Sequence, residues 1–200
     1  MDYGRDHYAT VTFSDCPDGR RVALAWMSNW QYANMVPTLQ FRSANSLPRD
    51  LDLFEYEGET YCGVKPSPEV LALRGAKPAK VPSEACEIVL QVKKDFRLTL
   101  SNTQDEQVVM AYDAAKQLFT MDRTQSGNVD FSPQFPCVTT APTFGALHTL
   151  RIFVDRCSIE VFDGEGRMAM TNLVFPSEPY SELALSGGAR CTVYPLQTRP

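Results

Sequence analysis

Two short stretches near the start of the chain carry the side chains best suited to bind a ligand. Asp2 and Arg5 lie in the run Asp-Tyr-Gly-Arg-Asp-His-Tyr-Ala and supply a carboxylate and a guanidinium. Trp26 and Trp30 lie in the run Trp-Met-Ser-Asn-Trp-Gln-Tyr-Ala and supply two indoles. Charged groups hydrogen-bond to polar ligand atoms, and an indole face packs against an apolar ring face. These four residues are the candidate binding groups.

Each candidate also has an ordinary structural interpretation. An acid near a chain start, such as Asp2 or Asp6, is more often solvated than bound to a ligand. Trp26 ends a predicted strand and fits a core position as well as a binding position, so we favour Trp30 for ligand contact. Glu160 alternates with apolar residues and is expected on the polar face of a half-buried strand, without a catalytic role.

Metal and nucleic-acid binding are not indicated. The six cysteines form no Cys-x-x-Cys pair, and the only histidines are His7 and His148. A zinc site needs a close cluster of such ligands, so we predict no metal site, and small buried thiols are favoured over a disulfide framework. His148 is expected to be structural. The net charge of -5 without a Lys/Arg cluster argues against nucleic acid, and no apolar run is long enough to span a membrane.

The elements that position these groups are predicted to be β-strands. Residues 8–13 and 21–26 are rich in β-branched and aromatic side chains and flank a Pro-Asp-Gly turn, which predicts a hairpin. Residues 51–54 and 60–64 flank a Glu-Gly turn and predict a second one. The polar stretch 28–46 between the hairpins is expected to be an irregular loop.

The second part of the chain is predicted to be a β-sandwich over residues 84–200. Residues 65–83 contain four prolines and one short helical possibility at 69–74, so they predict a linker with a domain boundary near residue 83. Short strands separated by turn signals follow, interrupted by a Pro-containing loop at 122–145. The predicted strands cover residues 87–92, 96–101, 107–112, 117–121, 150–155, 158–162, 168–171, 183–185 and 191–194. The fold is therefore predicted to be all-β.

Three blocks, in this order, resemble the family 32 glycoside hydrolases, which include invertases, levanases and inulinases. The runs around Asp2 and Trp26, with the Pro-Thr, Arg-Ser-Ala and Ser-Leu-Pro-Arg motifs that follow them, resemble the last blade of that family's β-propeller. Residues 150–162, continuing to Phe-Pro at 175–176, resemble the signature of its C-terminal β-sandwich. The resemblance covers nearly the whole chain. It implies a terminal blade over residues 1–64 of a five-bladed propeller, joined through the linker to the sandwich.

The resemblance also implies a parent enzyme that hydrolyses fructofuranosyl bonds in levan, inulin or sucrose, without a cofactor. Retaining hydrolysis needs two carboxyl groups about 5 Å apart. In the family they lie in Trp-Met-Asn-Asp-Pro-Asn-Gly and Glu-Cys motifs, with a further Asp in Arg-Asp-Pro. None of these motifs occurs here, because Asp6 is followed by His, Asp50 by Leu, and no Glu directly precedes a Cys. We therefore expect no catalytic residue in this chain and no activity from it alone.

The resemblance places Asp2 and Arg5 at the funnel of the propeller, where such residues hydrogen-bond to substrate hydroxyls. It likewise places a tryptophan of the Trp26–Trp30 motif against the sugar. The family more often has Lys at the position of Arg5 and an aromatic residue at the position of His7, which leaves the fine specificity open.

Two alternatives to a catalytic fragment are a non-catalytic carbohydrate-binding module and a structural domain that braces the propeller. For the sandwich itself we favour bracing. Expected partners are a fructan or sucrose-type carbohydrate and the N-terminal propeller of the same enzyme, in an extracytoplasmic location. Arg42 and Arg49 are expected to make structural contacts within the blade. An orphaned blade would expose apolar side chains and either self-associate or be poorly ordered. The expected owners are Tyr8, Val11, Phe13, Val22, Leu24 and Trp26.

Overall fold

The computed structural model of the protein describes residues 1–75, 78–79 and 85–197, and these form β-strands with two 3-10 helices. The helices are Ala33–Met35 and Pro68–Leu73. The strands are β1 (Tyr8–Thr12), β2 (Arg21–Met27), β3 (Ala44–Asn45), β4 (Arg49–Tyr56), β5 (Glu59–Pro66), β6 (Cys86–Ser101), β7 (Gln107–Asp113), β8 (Leu118–Gln125), β9 (Val138–Pro142), β10 (Thr149–Asp155), β11 (Ser158–Asp163), β12 (Ala169–Leu173) and β13 (Glu182–Pro195). Within the described ranges, no helix is long and apolar enough to cross a membrane. The predicted all-β fold is confirmed.

The first unit is an antiparallel sheet with strand order β1-β2-β4-β5, and β3 pairs with the end of β2. Both predicted hairpins are confirmed. The second one turns through Glu57 and Gly58, which both have positive φ angles of 51° and 83°. A two-residue turn with two positive φ angles matches the right-handed twist of the strands it joins. This is the blade.

The second unit is an antiparallel sheet system folded into two facing layers, the predicted sandwich. Its strand order is β12-β11-β10-β6-β7-β8-β9, and β13 pairs with β6 along nearly its whole length. One continuous buried cluster joins the apolar faces of both ends of this order. Its largest fully buried members include Phe119, Ile88, Leu90, Leu98, Leu100, Met110 and Met121.

Two pairs of predicted strands are in fact single long strands, so that part of the prediction was wrong. The first half of β6 pairs with β10 and its second half with β7, so one strand serves both layers. The partner strand β13 bends with it at Gly187, whose φ is 89°. A Cβ atom on Gly187 would lie 2.4 Å from the Asp95 carbonyl oxygen, so the two bent backbones touch. The gaps between the predicted strands, residues 93–95 and 186–190, lie at this bend.

The predicted loop over residues 122–145 was also partly wrong. Strand β8 continues to Gln125, and β9 occupies Val138–Pro142. β9 is an edge strand that buries only Thr139 and Ala141, so its apolar alternation is short and ends in Pro142. A proline is tolerated at such an edge, where no partner strand needs its N–H.

The predicted linker runs against the sandwich in the part that is described. The 3-10 helix Pro68–Leu73 coincides with the predicted helical turn, and Arg74 and Ala79 form isolated bridges to Leu196 and Val193. The domain boundary near residue 83 lies outside the described residues and stays a prediction.

The blade and the sandwich meet along β12. The Tyr3 amide donates to the Ala169 carbonyl at 2.9 Å, and the Asp6 amide donates to the Thr171 carbonyl at 3.1 Å. Gly4 lies so close that a Cβ atom there would be 1.9 Å from the Thr171 oxygen. A buried apolar cluster continues the contact with Met27, Tyr32 and Val36 from the blade and Phe135, Leu173 and Phe175 from the sandwich.

Arg49 carries a charge into this interface and has no exposed surface. Its guanidinium lies 2.6 Å from Asp2 and 2.6 Å from Glu160, and donates to the Thr171 hydroxyl at 2.5 Å. Arg49 contacts Asp2 within the blade as predicted, and it also pairs with Glu160, which belongs to the sandwich. The half-buried position predicted for Glu160 was wrong, because the blade covers the face of β11 that carries it. Arg42 stays within the blade loop and donates to the Val36 carbonyl.

We predict that Arg49→Met lowers the free energy of unfolding by about 3–5 kcal/mol, because it leaves two buried carboxylates without their countercharge. Denaturant unfolding measures the loss. Arg20→Met is the matched control. Arg20 pairs with three acids, but its side chain is partly exposed, so a much smaller loss is expected there. Equal losses in the two variants would contradict the importance of burial.

Candidate functional site

Three aromatic rings form a surface at the end of the first hairpin. Tyr8 on β1 is the cross-strand partner of Trp26 on β2, with ring centroids 6.2 Å apart. Trp30 follows β2 in the loop, and its centroid is 5.0 Å from that of Trp26. Trp30 is 74% exposed and Tyr8 50% exposed. We call these three residues the aromatic surface.

A bulge in β1 sets the direction of Tyr8. The strand register shifts by one residue between Tyr8 and Val11, and Ala9 adopts a positive φ of 50°. A bulge of this kind re-aims a side chain next to a functional surface. It brings Tyr8 beside Trp26.

Trp26 combines the two roles that the sequence left open. Its ring is only partly exposed, and its indole N–H donates to the Ser43 hydroxyl. The ring also lies between Tyr8 and Trp30 and supports both. Trp26 is therefore the inner member of the aromatic surface and Trp30 the outer one.

Polar groups adjoin the outer indole. Arg5 is exposed, and its guanidinium donates to the side-chain oxygen of Gln31, the residue after Trp30. The Asn29 side chain accepts from the Gln31 amide at 2.9 Å and donates to the Arg5 carbonyl at 3.0 Å. This turn holds Trp30 at its tip. The structure thus brings together three of the four candidates, namely Arg5, Trp26 and Trp30.

Asp2 lies apart from them, in the interface with the sandwich. Its side chain is 3% exposed. One carboxylate oxygen accepts from the amides of Gly4 and Thr171, and the other accepts from Arg49 and the Thr171 hydroxyl. Burial opposes ionisation of Asp2, but the nearby Arg49 outweighs it and lowers the pKa of this carboxyl. The interpretation of Asp2 as a solvated acid was wrong. Sugar contact through Asp2 stays a prediction.

The same alternative interpretation of Asp6, as a solvated acid, was wrong too. It has no exposed surface. Its carboxylate accepts from the side chains of Asn29 and Tyr32 in the blade and from Arg123 in the sandwich. No local sequence pattern contains a signal for this role of Asp6, because its partner Arg123 lies 117 positions away.

The described residues contain no group of three or more His, Cys, Asp or Glu side chains that could hold a metal ion. All six cysteines are free thiols, of which only Cys86 is fully buried. His148 is exposed next to the start of β10.

Two family profiles match the chain. The C-terminal domain of the glycosyl hydrolases of family 32 matches residues 66–194, and the N-terminal domain of the same family matches residues 1–63. The chain belongs to glycosyl hydrolase family 32. The resemblance inferred from its three sequence blocks is confirmed.

Curated members of family 32 align over almost the whole chain. A levanase of Bacillus subtilis is 34% identical over 98% of this chain, and the extracellular exo-inulinase of Aspergillus niger is 32% identical over 94%. The chain spans only 34% and 40% of those two proteins. The crystal structure of exo-inulinase from Aspergillus awamori superposes with a TM-score of 0.88 at 28% identity, over 99% of this chain and 44% of that one.

His7 lies between Asp6 and Tyr8 in the sequence and makes the stability of the folded chain depend on pH. Its ring is mostly buried, and burial, together with the nearby Arg49, lowers its pKa to about 4. In the unfolded chain His7 has its ordinary pKa near 6.5. Between pH 6.5 and about pH 4, His7 is therefore protonated in the unfolded chain but not in the folded chain. This contribution to stability is complete above pH 6.5 and is lost as the pH falls towards 4.

We predict that His7→Gln removes this part of the pH dependence. Unfolding free energies measured at intervals from about pH 7 to about pH 4 should fall less steeply in His7→Gln than in the parent chain. His148→Gln is the control, because His148 is exposed. A slope that is unchanged by His7→Gln but reduced by His148→Gln would contradict the assignment.

Proposed function

We propose that this chain is the C-terminal part of an enzyme that hydrolyses fructofuranosyl bonds in levan, inulin or sucrose, and that it supplies sugar contacts rather than the reacting carboxyls. Family membership supports the enzyme class. Relatives named levanase, extracellular exo-inulinase and sucrose-6-phosphate hydrolase, each 30–34% identical, support the substrate class. The extracellular relative also supports an extracytoplasmic location.

The observation that carries the proposal is the exposed aromatic surface of the blade. Trp30 offers an open indole face, backed by Trp26, with Arg5 and Gln31 at its side. A sugar ring has an apolar face that packs on an indole and hydroxyl groups that accept or donate hydrogen bonds, so this combination suits a carbohydrate. The proposed sugar contacts are Arg5, Trp26 and Trp30.

The two acids Asp2 and Asp6 at the start of the chain are unsuited to catalysis. A nucleophile or a general acid needs a carboxyl that reaches the substrate. Asp2 and Asp6 are buried, and all four of their oxygens bond to protein groups. In the proposed enzyme both reacting carboxyls therefore come from the N-terminal propeller.

A structural role is the second candidate, and it applies to the sandwich. In the described part of the sandwich no aromatic side chain is among the exposed large hydrophobic residues. A carbohydrate-binding module would be expected to display a row of such rings. Two buried charged side chains of the sandwich, Arg123 and Glu160, bond to the blade. These features favour bracing of the propeller over an independent binding function.

The purified chain is predicted to bind sugar without cleaving it. Incubation with levan, inulin or sucrose should release no fructose, since neither reacting carboxyl is present. Turnover that survives rigorous purification would refute this assignment of roles.

Binding is measured by titrating the chain with a levan oligosaccharide. Trp30→Ala should weaken binding by about 1 kcal/mol or more, by analogy with aromatic pair energies, and should do so more than Trp26→Ala. His148→Ala serves as the control, because its ring is exposed far from the aromatic surface in sequence and on the other unit. An unchanged affinity in Trp30→Ala would exclude this residue as the sugar platform.

The exposed side of β1 is the proposed contact with the N-terminal propeller. Val11 on β1 is 66% exposed, and Phe13, directly after the end of β1, is 51% exposed; Tyr8 also lies on β1. Val22, which was expected to share this exposure, is buried, because it lies on the inner strand β2. An unpaired edge with apolar side chains promotes association.

We expect the isolated chain to self-associate through this side. Light scattering coupled to size exclusion should show species larger than one chain, and the double variant Val11→Lys, Phe13→Lys should shift them to the monomer. Val138→Lys changes an equally exposed apolar residue on the sandwich and should leave the association intact. A chain that stays monomeric at high concentration would contradict the proposed contact.

A further inference from the structure

One arginine of the sandwich reaches the loop that carries Trp30. Arg123, on β8, has no exposed surface. Its guanidinium donates to the Asp6 carboxylate at 2.6 Å and to the Tyr32 hydroxyl at 2.8 Å, both in the blade. On its own side it donates to the carbonyls of Phe135 at 2.9 Å and Leu173 at 3.0 Å. The guanidinium is thus fixed to the sandwich and extends into the blade.

The two blade residues that Arg123 contacts control both ends of a short loop. The Tyr32 hydroxyl donates to one Asp6 oxygen at 2.6 Å, and the Asn29 side chain donates to the same oxygen at 3.0 Å. Asn29 and Tyr32 directly flank Trp30 and Gln31. Both ends of the turn that exposes Trp30 are therefore tied to one buried carboxylate, whose charge is balanced by Arg123.

The aromatic packing around this point also comes from the sandwich. The Tyr32 ring lies edge-on to Phe135 with centroids 5.3 Å apart, and the Arg123 guanidinium lies 4.0 Å above the centre of the Phe135 ring. The burial of Tyr32 raises the pKa of its phenol, so it stays a hydrogen-bond donor to Asp6. Trp30 itself is largely exposed, and its ring contacts Trp26. Its position depends on the anchored residues on either side.

We propose that Arg123 is a positioning residue for the sugar site, holding Asp6 and Tyr32 so that Trp30 lies against Trp26 with its outer face open. The inference rests on the proposed function for the identity of the ligand, a fructosyl sugar, but not for the position of the loop. A loop that is already fixed loses less conformational freedom when a ligand binds, so pre-organisation raises affinity. The sandwich would then contribute to binding without touching the sugar.

The chain contains a built-in reporter, because Trp26 and Trp30 are its only tryptophans. Two indoles 5.0 Å apart and inclined at 60° interact as excitons, so circular dichroism of the folded chain reports their mutual position. Arg123→Lys keeps a charge for Asp6 but removes the fork that reaches Tyr32 at the same time. Tyr32→Phe is the milder variant, since it keeps the packed ring and removes only the hydroxyl.

Both variants are expected to lose the exciton signal and to bind a levan oligosaccharide about tenfold more weakly, equivalent to ~1.4 kcal/mol. Arg49→Met is the matched control, because it removes another buried arginine of the same interface that does not contact the loop. At a temperature where it is folded, it should keep the signal.

An unchanged signal in folded Tyr32→Phe and Arg123→Lys would overturn the proposal, and so would an equal loss in folded Arg49→Met. If the signal changes as expected but the parent chain does not bind the levan oligosaccharide, Arg123 positions the loop and the proposed sugar function fails instead. The two failures are therefore distinguishable.

Discussion

Two buried arginines, one from each unit, hold the blade and the sandwich together by exchanging charges. Arg49 of the blade pairs with Glu160 of the sandwich, and Arg123 of the sandwich pairs with Asp6 of the blade. None of these side chains is more than slightly exposed, so each charge depends on its partner. Removing one partner leaves an ion in the interior, which costs far more than losing a surface pair. Neither unit retains this charge balance without the other.

The same constraint explains why the acids at the start of the chain, Asp2 and Asp6, are bonded to protein groups. Asp2 and Asp6 lie next to the sugar-contact candidates in sequence, yet their oxygens are used by Arg49, Arg123 and backbone amides. Their role is to fasten the start of the chain to β12. The exposed groups that remain, Arg5, Trp26 and Trp30, are suited to recognition. This division agrees with the proposal that the chain contacts sugar while the reacting carboxyls lie in another part of the enzyme.

The interface also connects the sandwich core to the loop that carries Trp30. Its apolar contact with the blade, centred on Phe135 and Tyr32, excludes water from the Arg123–Asp6 pair and so strengthens it. That pair is bonded to Asn29 and Tyr32, the residues on both sides of Trp30. The proposed positioning of the exposed Trp30 ring therefore depends on the sandwich core. Under the proposed function, bracing and sugar recognition both depend on this one packed contact.

The sequence by itself determined the features that depend on neighbouring residues. Alternating β-branched strands and the Glu-Gly turn were sufficient for both blade hairpins, and three motif blocks were sufficient for the family. Only the tertiary structure decided that β6 and β13 run unbroken through their bend, because a strand can serve two layers only when both layers exist. It also decided the states of Asp6 and Glu160. Their arginine partners lie more than 100 positions away, and burial of a charge is set by what packs around it in space.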